Sequence, residues 1–364
     1  MTKRARRNSS IEVLRIISMF FIILSHYAFH SPFEFTGTKI SINQIYTQIT
    51  VFGNVGVNVF VLISATFLCR KGSQQYSAKR LFPIWRSMFF YSVFFYIVFV
   101  LTKTISFGTK GFIKSLFPVI FETWWFGTTY ILLYLFYPFL NMFIERLDKR
   151  RYFWLLAIIF VIWCLVPTFS GQYLKSNDIT WFICLYLFAG FMEKNKNRSS
   201  KKASYYFLRA LMFYFFYIIW VVASDALRIA FPSFGDRALY FTDKQRLLIL
   251  PLSIYLFLGF RNMKEFYSPA VNLISRSMFG VYLISEYPVM RELIWTEWNP
   301  VLKYTESGIF ILLSLGYCMA VFIVCSIAEM IRLHTIEVIA CKVFNRFEDA
   351  VTEKIRKIIQ KAET

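Results

Sequence analysis

Apolar runs of roughly the length needed to cross about 30 Å of hydrocarbon recur from one end of this chain to the other. They fall at about residues 11–31, 49–69, 86–103, 124–144, 152–169, 179–192, 205–224, 246–262, 276–294 and 308–332, the sixth being short. Their length and their short polar connections read as helices rather than strands. The expected fold is therefore all-α: a polytopic membrane protein of about ten transmembrane helices, forming one domain over residues 1–335. From Ile336 the pattern changes. In "IEVIACKVFNRFEDAVTEKIRKIIQKAET" apolar residues recur at helical spacing among charges. Residues 336–364 thus read as a cytoplasmic amphipathic tail, lying on the membrane surface or on the protein. No repeat, low-complexity segment or long linker interrupts the pattern.

Composition agrees with this class. The chain is 57% apolar and 20% aromatic, with only 17% charged residues and 43 Phe. A net charge of +20 would suggest nucleic acid in a soluble protein. Here the cations alternate between loops. Thirty of the 41 Lys and Arg fall on one side of the expected membrane and eleven on the other. That asymmetry predicts both termini in the cytoplasm and attraction to anionic lipid, with no nucleic-acid partner. The basic start "TKRARR" leads into a run long enough to span, with no small-residue cleavage site after it, so a retained first helix is expected. Six cysteines at unrelated spacings suggest neither a disulfide framework nor a metal site.

The first run carries the unusual chemistry. It holds Glu12, Arg15, His26 and His30, two of the chain's three histidines among them. Arg15 and His26 are eleven residues apart, about 20° past three full turns, so they share a face roughly 16 Å apart along the axis. Glu12 is within ion-pairing reach of Arg15, and His30 follows His26 by one turn. A charged group facing lipid costs about 2.5–3.5 kcal/mol on insertion scales, so this stripe should face the bundle interior or a wet cavity. Structural roles are open for each: an insertion-aiding ion pair for Glu12 and Arg15, hydrogen-bonded packing for the histidines. The chemical alternative is that His26 takes a proton from a hydroxyl and returns it near neutral pH.

The stretch "EVLRIISMFFIILSHY", with its E-x-x-R-x10-H spacing, resembles the first helix of acyltransferase family three. Further stretches match that family in order. "NVGVNVFVLISATFL" is similar to its Gly-Val-x-x-Phe-Phe-x-x-Ser-Gly element through Gly56, Val57, Phe60 and Ser64, with Ala65 where glycine is usual. "SAKRLFPIWRS" resembles the basic element after helix two through Arg80 and Pro83, with Ser77 at the first arginine position. "TWWFGTTYILLYLFYPFL" matches through Trp125, Tyr134 and Pro138. "SMFGVYLISEYPVMRELIW" resembles the late Phe-Gly-x-Tyr-Leu-Ile-His element, with Ser285-Glu286 where a histidine is expected.

The resemblance implies transfer of an acyl group, usually acetyl, from cytoplasmic acyl-CoA to a hydroxyl of a cell-surface polysaccharide or its lipid-linked precursor. Acetyl-CoA would be a co-substrate, with no permanently bound cofactor and no metal. It implies a bacterial cytoplasmic membrane, with the "PVMRELIW" stretch similar to Gram-positive capsule-modifying members. His26, Arg15 and Glu12 are then the expected catalytic residues, with His26 as base or as an acyl carrier. Arg80, Lys79, Arg86 and Ser64 are expected at the donor, and Trp125, Tyr130, Glu286 and His30 at the acceptor. Trp125 and Tyr130 read equally as membrane packing, and the basic cluster as topology. Two other functions stay open: a carrier or flippase for lipid-linked sugars, and a degenerate relative acting as a partner. The absence of two matching halves speaks against the carrier. Homo-oligomerisation is left open.

Overall fold

The computed structural model describes residues 8–35, 39–70, 78–171, 173–196 and 201–363. The basic N-terminal residues and Ser77 lie outside them. Among the described residues every regular element is helical. In chain order these are α1 (Ser9–His30), α2 (Ile42–Thr50), α3 (Gly53–Cys69), α4 (Phe82–Leu101), α5 (Thr109–Leu116), α6 (Trp125–Arg146), α7 (Lys149–Phe160) and α8 (Val166–Ser170). They continue with α9 (Asp178–Lys194), α10 (Ala203–Ala230), α11 (Ile249–Arg261), α12 (Pro269–Ile274), α13 (Met278–Ser285), α14 (Pro288–Glu292), α15 (Phe310–His334) and α16 (Ile336–Glu363).

Seven of the helical stretches are long and apolar enough to cross a membrane: α1, α2 with α3, α4, α6, α7 with α8, α10 and α15. The other three expected spans are helical but differ in form. α9 has 17 residues and α11 has 13. The ninth is broken. Tyr287 precedes Pro288, and the proline ring pushes the residue before it out of helical geometry; Tyr287 is accordingly extended, at φ −62° and ψ 130°. Helix α13 therefore stops at Ser285, and Glu286 is its cap. A broken helix in the hydrocarbon region is tolerated where it is covered by protein or lines a cavity.

Helix α1 packs against α2, α3, α11, α12, α13 and α15. The Asn8 side chain caps it by accepting from the Ser10 amide. It runs antiparallel to α3 at very short range. A Cβ on Gly56 would overlap the Ser18 carbonyl oxygen, and one on Gly53 would lie 2.6 Å from the Ser25 Cβ. Only glycine permits that approach, which follows the small-residue logic of membrane helix packing. On its other side α1 meets α15, where the Tyr27 hydroxyl and Ser314 Oγ are 2.7 Å apart. Buried Asn58 ties α3 to its neighbours, donating to the Lys244 carbonyl and accepting from the Trp181 indole, each at 2.9 Å. The start of α1, the start of α4, the end of α15 and all of α16 share one end of the bundle, called the lower end below.

At that end α16 is locked by a buried ionic cluster. Arg86 donates to Glu337 at 2.6 Å and also contacts Glu348. Arg332 bonds Glu329 at 2.7 Å and Glu337 at 2.8 Å, and the Tyr91 hydroxyl donates to Glu329 at 2.7 Å. Burial alone would raise the Glu337 carboxyl, but hydrogen bonds from Arg86 and Arg332 outweigh it and hold the group below its ordinary range. A depressed carboxylate contributes stability above its unfolded value of about 4.3, and that stability is lost as pH falls through the folded value. Docking of α16 is therefore expected to persist from neutral pH to about pH 5 and to fail only in stronger acid. Distances between spin labels on α4 and α16 check this; release near pH 6 would contradict it.

Candidate active site

The helical period of α1 places Arg15, Met19, Ile22 and His26 on one stripe, and all four line a single cavity of about 270 Å³. Val57, Phe60 and Ser64 face it from α3, and Trp125, Phe126 and Tyr130 from α6. Met278, Phe279 and Tyr282 close it from α13. Most of this wall is apolar. Its polar groups concentrate at the two ends, with arginines near the lower end and His26 near the upper.

At the lower end Arg15 is held by Glu12, with Nη1 3.1 and 3.3 Å from the two carboxylate oxygens. Glu12 is 1% exposed and Arg15 19% exposed. The carboxylate is thus an internal brace, and the guanidinium it fixes reaches the cavity wall. The Tyr130 hydroxyl pairs with Ser64, and the charges of Arg15 and Arg80 both reach it. Arg80 itself is exposed, in the short turn Ala78–Arg80 before α4. The expected donor cluster is therefore divided. Arg15 and Ser64 are on the cavity wall and Arg80 is near it. Arg86 is not on the wall, because Glu337 and Glu348 bury its guanidinium under α16. Lys79 points to Asp349 of α16 at 2.5 Å and is 55% exposed.

At the upper end the break after α13 brings Glu286 to α1. His26 Nδ1 lies 2.9 Å from Glu286 Oε1 and His30 Nε2 3.6 Å from Oε2. Arg291 Nη1 is 3.9 Å from the same oxygen. The His26 and Glu286 atoms are at ion-pair distance but off the line of a hydrogen bond, and both are buried. The rest of the His26 ring is open, with the side chain 22% exposed. Nδ1 therefore faces the carboxylate, and Nε2 is the nitrogen left for a substrate. His30 and Glu286 do not line the cavity; they form a polar cluster above it. Trp125 and Tyr130, expected at the acceptor, stand on the cavity wall. Lys244 lies over the Trp125 ring at 4.2 Å and is held by Asp178 at 2.5 Å.

A family model described as an acyltransferase domain matches residues 8–330, which include every wall of this cavity. The chain belongs to acyltransferase family three. No curated protein and no solved structure gives a significant match. With its apolar helices, this is a membrane acyltransferase. Two features of the acyltransferase were not singled out from its sequence. Arg276, in the turn Ser275–Ser277 before α13, lines the cavity; its charge was counted only as a topology signal. The other is the joining of His26, His30 and Glu286. One ligand atom from each lies within 4.8 Å of the others, a donor set able to hold a metal ion.

Proposed function

We propose that the protein transfers an acyl group, acetyl by analogy with its family, from acyl-CoA to a hydroxyl of a surface polysaccharide or its lipid-linked precursor. The setting is the cytoplasmic membrane of a bacterium, of Gram-positive type by the late-helix resemblance, with the lower end facing the cytoplasm as the Lys and Arg distribution predicts. The observation that carries this reading is His26, open at the upper end of a cavity whose lower end presents Arg15. Donor thioester enters from the arginine end and acceptor hydroxyl from the His30 and Arg291 side.

In the direct route His26 Nε2 takes the hydroxyl proton as the oxygen attacks the thioester carbonyl. The carbon–sulfur bond then breaks and His26 returns the proton to the departing thiolate, so the base is regenerated. Glu286 beside Nδ1 stabilises the imidazolium that forms in between. In the covalent route His26 Nε2 attacks the thioester carbonyl and the carbon–sulfur bond breaks to release the thiolate. The alcohol oxygen then attacks the acyl-imidazolium, the carbon–nitrogen bond breaks, and the hydroxyl proton goes to the thiolate, leaving neutral His26. Trp125 and Tyr130 offer aromatic and hydroxyl contacts for a sugar. The deciding experiment supplies labelled acyl-CoA to the inner face of membranes and follows ester content of the surface glycan by NMR, with and without the protein. Equal ester content in both would end the proposal.

A second reading attaches to the upper cluster. The donor set of His26, His30 and Glu286 suits a divalent cation that would lower the pKa of a bound hydroxyl. That ion would occupy His26 and remove it as base. Turnover unchanged by a chelator supports the base; turnover lost and restored by zinc supports the metal.

A further inference from the structure

We infer that Arg276 is a positioning residue for the donor, gripping a phosphate of acyl-CoA together with Arg15 at the lower mouth of the cavity. This rests on the acyl-CoA reading and adds the residue that selects the phosphate-bearing donor.

Arg276 and Arg15 come from different elements yet line the same cavity. Their electrostatic situations differ. Arg15 is committed to Glu12. Arg276 is exposed and has no carboxylate partner among the described residues. A guanidinium on a cavity wall without an internal counterion is free to meet an anion from outside, and its fork of donors matches phosphate oxygens. The turn that carries it is firmly placed. Ser9 Oγ donates to Asn272 Oδ1 at 3.1 Å and accepts from the Ser268 amide at 2.8 Å, tying α12 to the first residue of α1. Ser275 and Ser277 bond back to the Asn272 and Ile274 carbonyls, which fixes the turn itself. The same helix therefore sets both Arg15 and Arg276.

The size of the cavity points the same way. At about 270 Å³ it lies at the low end of small-molecule pockets, so it takes the thioester arm and leaves the phosphates at the mouth. That is where the two arginines are. Arg86 and Lys79, which the family resemblance implies at the donor, are instead occupied by the carboxylates of α16.

The test uses the full-length protein in membranes with two donors: acetyl-CoA, and acetyl-pantetheine, which carries the same thioester without phosphate. Arg276→Ala is expected to raise KM for acetyl-CoA by about 10- to 100-fold with kcat nearly unchanged, the range of one charge-assisted hydrogen bond or two. Arg276→Lys should recover part of the loss. Kinetics with acetyl-pantetheine should be the same in wild type and variant. Three results overturn the inference: an unchanged KM for acetyl-CoA, an equal loss with both donors, or a raised KM for the acceptor alone. In each of those the wild type still transfers acyl groups, so the acyl-CoA reading survives. A wild type that neither turns over nor binds acetyl-CoA removes both.

Discussion

Replacing His26 with alanine is expected to abolish acyl transfer while leaving the protein folded in the membrane. The ring lies at the cavity wall, partly open, and its Nδ1 makes no aligned hydrogen bond. Glu286 loses its nearest partner but keeps His30 at 3.6 Å and Arg291 at 3.9 Å, so its carboxylate is not left alone, and expression and thermal stability in detergent should stay near wild type. The chemical loss is larger. General-base catalysis contributes about 10²- to 10⁴-fold, and removing a covalent acyl carrier would stop that route altogether. The measurement is ester content of the surface glycan beside protein abundance in the same membranes. A His26→Ala strain with wild-type ester content would exclude His26 from both routes. His26→Gln separates a proton carrier from a polar contact, since an amide donates and accepts hydrogen bonds but takes no proton near neutral pH. It should be as inactive as alanine.

Such a variant tests the part of the site that was most legible in the sequence. A helix of fixed period converts the spacing Glu12, Arg15, His26 into one face, and the same arithmetic puts Met19 and Ile22 on it. The match of Val57, Phe60 and Ser64 to a family element carried the second wall, and Trp125 and Tyr130 the third. What stayed hidden depends on contacts between distant segments. Nothing local tells that Glu286 meets His26, because the pairing follows from how α13 packs and where the Tyr287-Pro288 step stops it. Charge counting places a lysine or arginine on a side of the membrane but gives no direction to its side chain. It therefore could not separate Arg276, on the cavity wall, from Arg86, turned under α16. Helix count suffers from a similar ambiguity. Hydropathy detects the stretches that became α9 and α11, yet at 17 and 13 residues each is shorter than the usual crossing of about 20.

Glu286→Gln is the sharpest test of what the hidden contact contributes. The sequence alone suggested an acceptor contact for this residue, whereas its position beside His26 gives it a charge to supply. Glutamine keeps the shape of the side chain and loses the negative charge, so the break after α13 should keep its form. If the carboxylate stabilises the imidazolium that forms during proton transfer, kcat should fall on the order of 10²-fold or more, toward the loss seen when a triad carboxylate is made an amide. KM for acetyl-CoA should not move, since the arginine mouth is at the other end of the cavity. KM for the acceptor should change little. If Glu286 instead holds the acceptor, the pattern reverses, with acceptor KM raised and kcat at saturation retained. Glu286→Asp adds a distance test. Its carboxylate is one methylene shorter and withdraws from the 2.9 Å contact, so partial activity is expected if that contact matters. Equal wild-type activity in Gln and Asp variants would reduce Glu286 to a packing residue and leave His26 to work without a partner from α13.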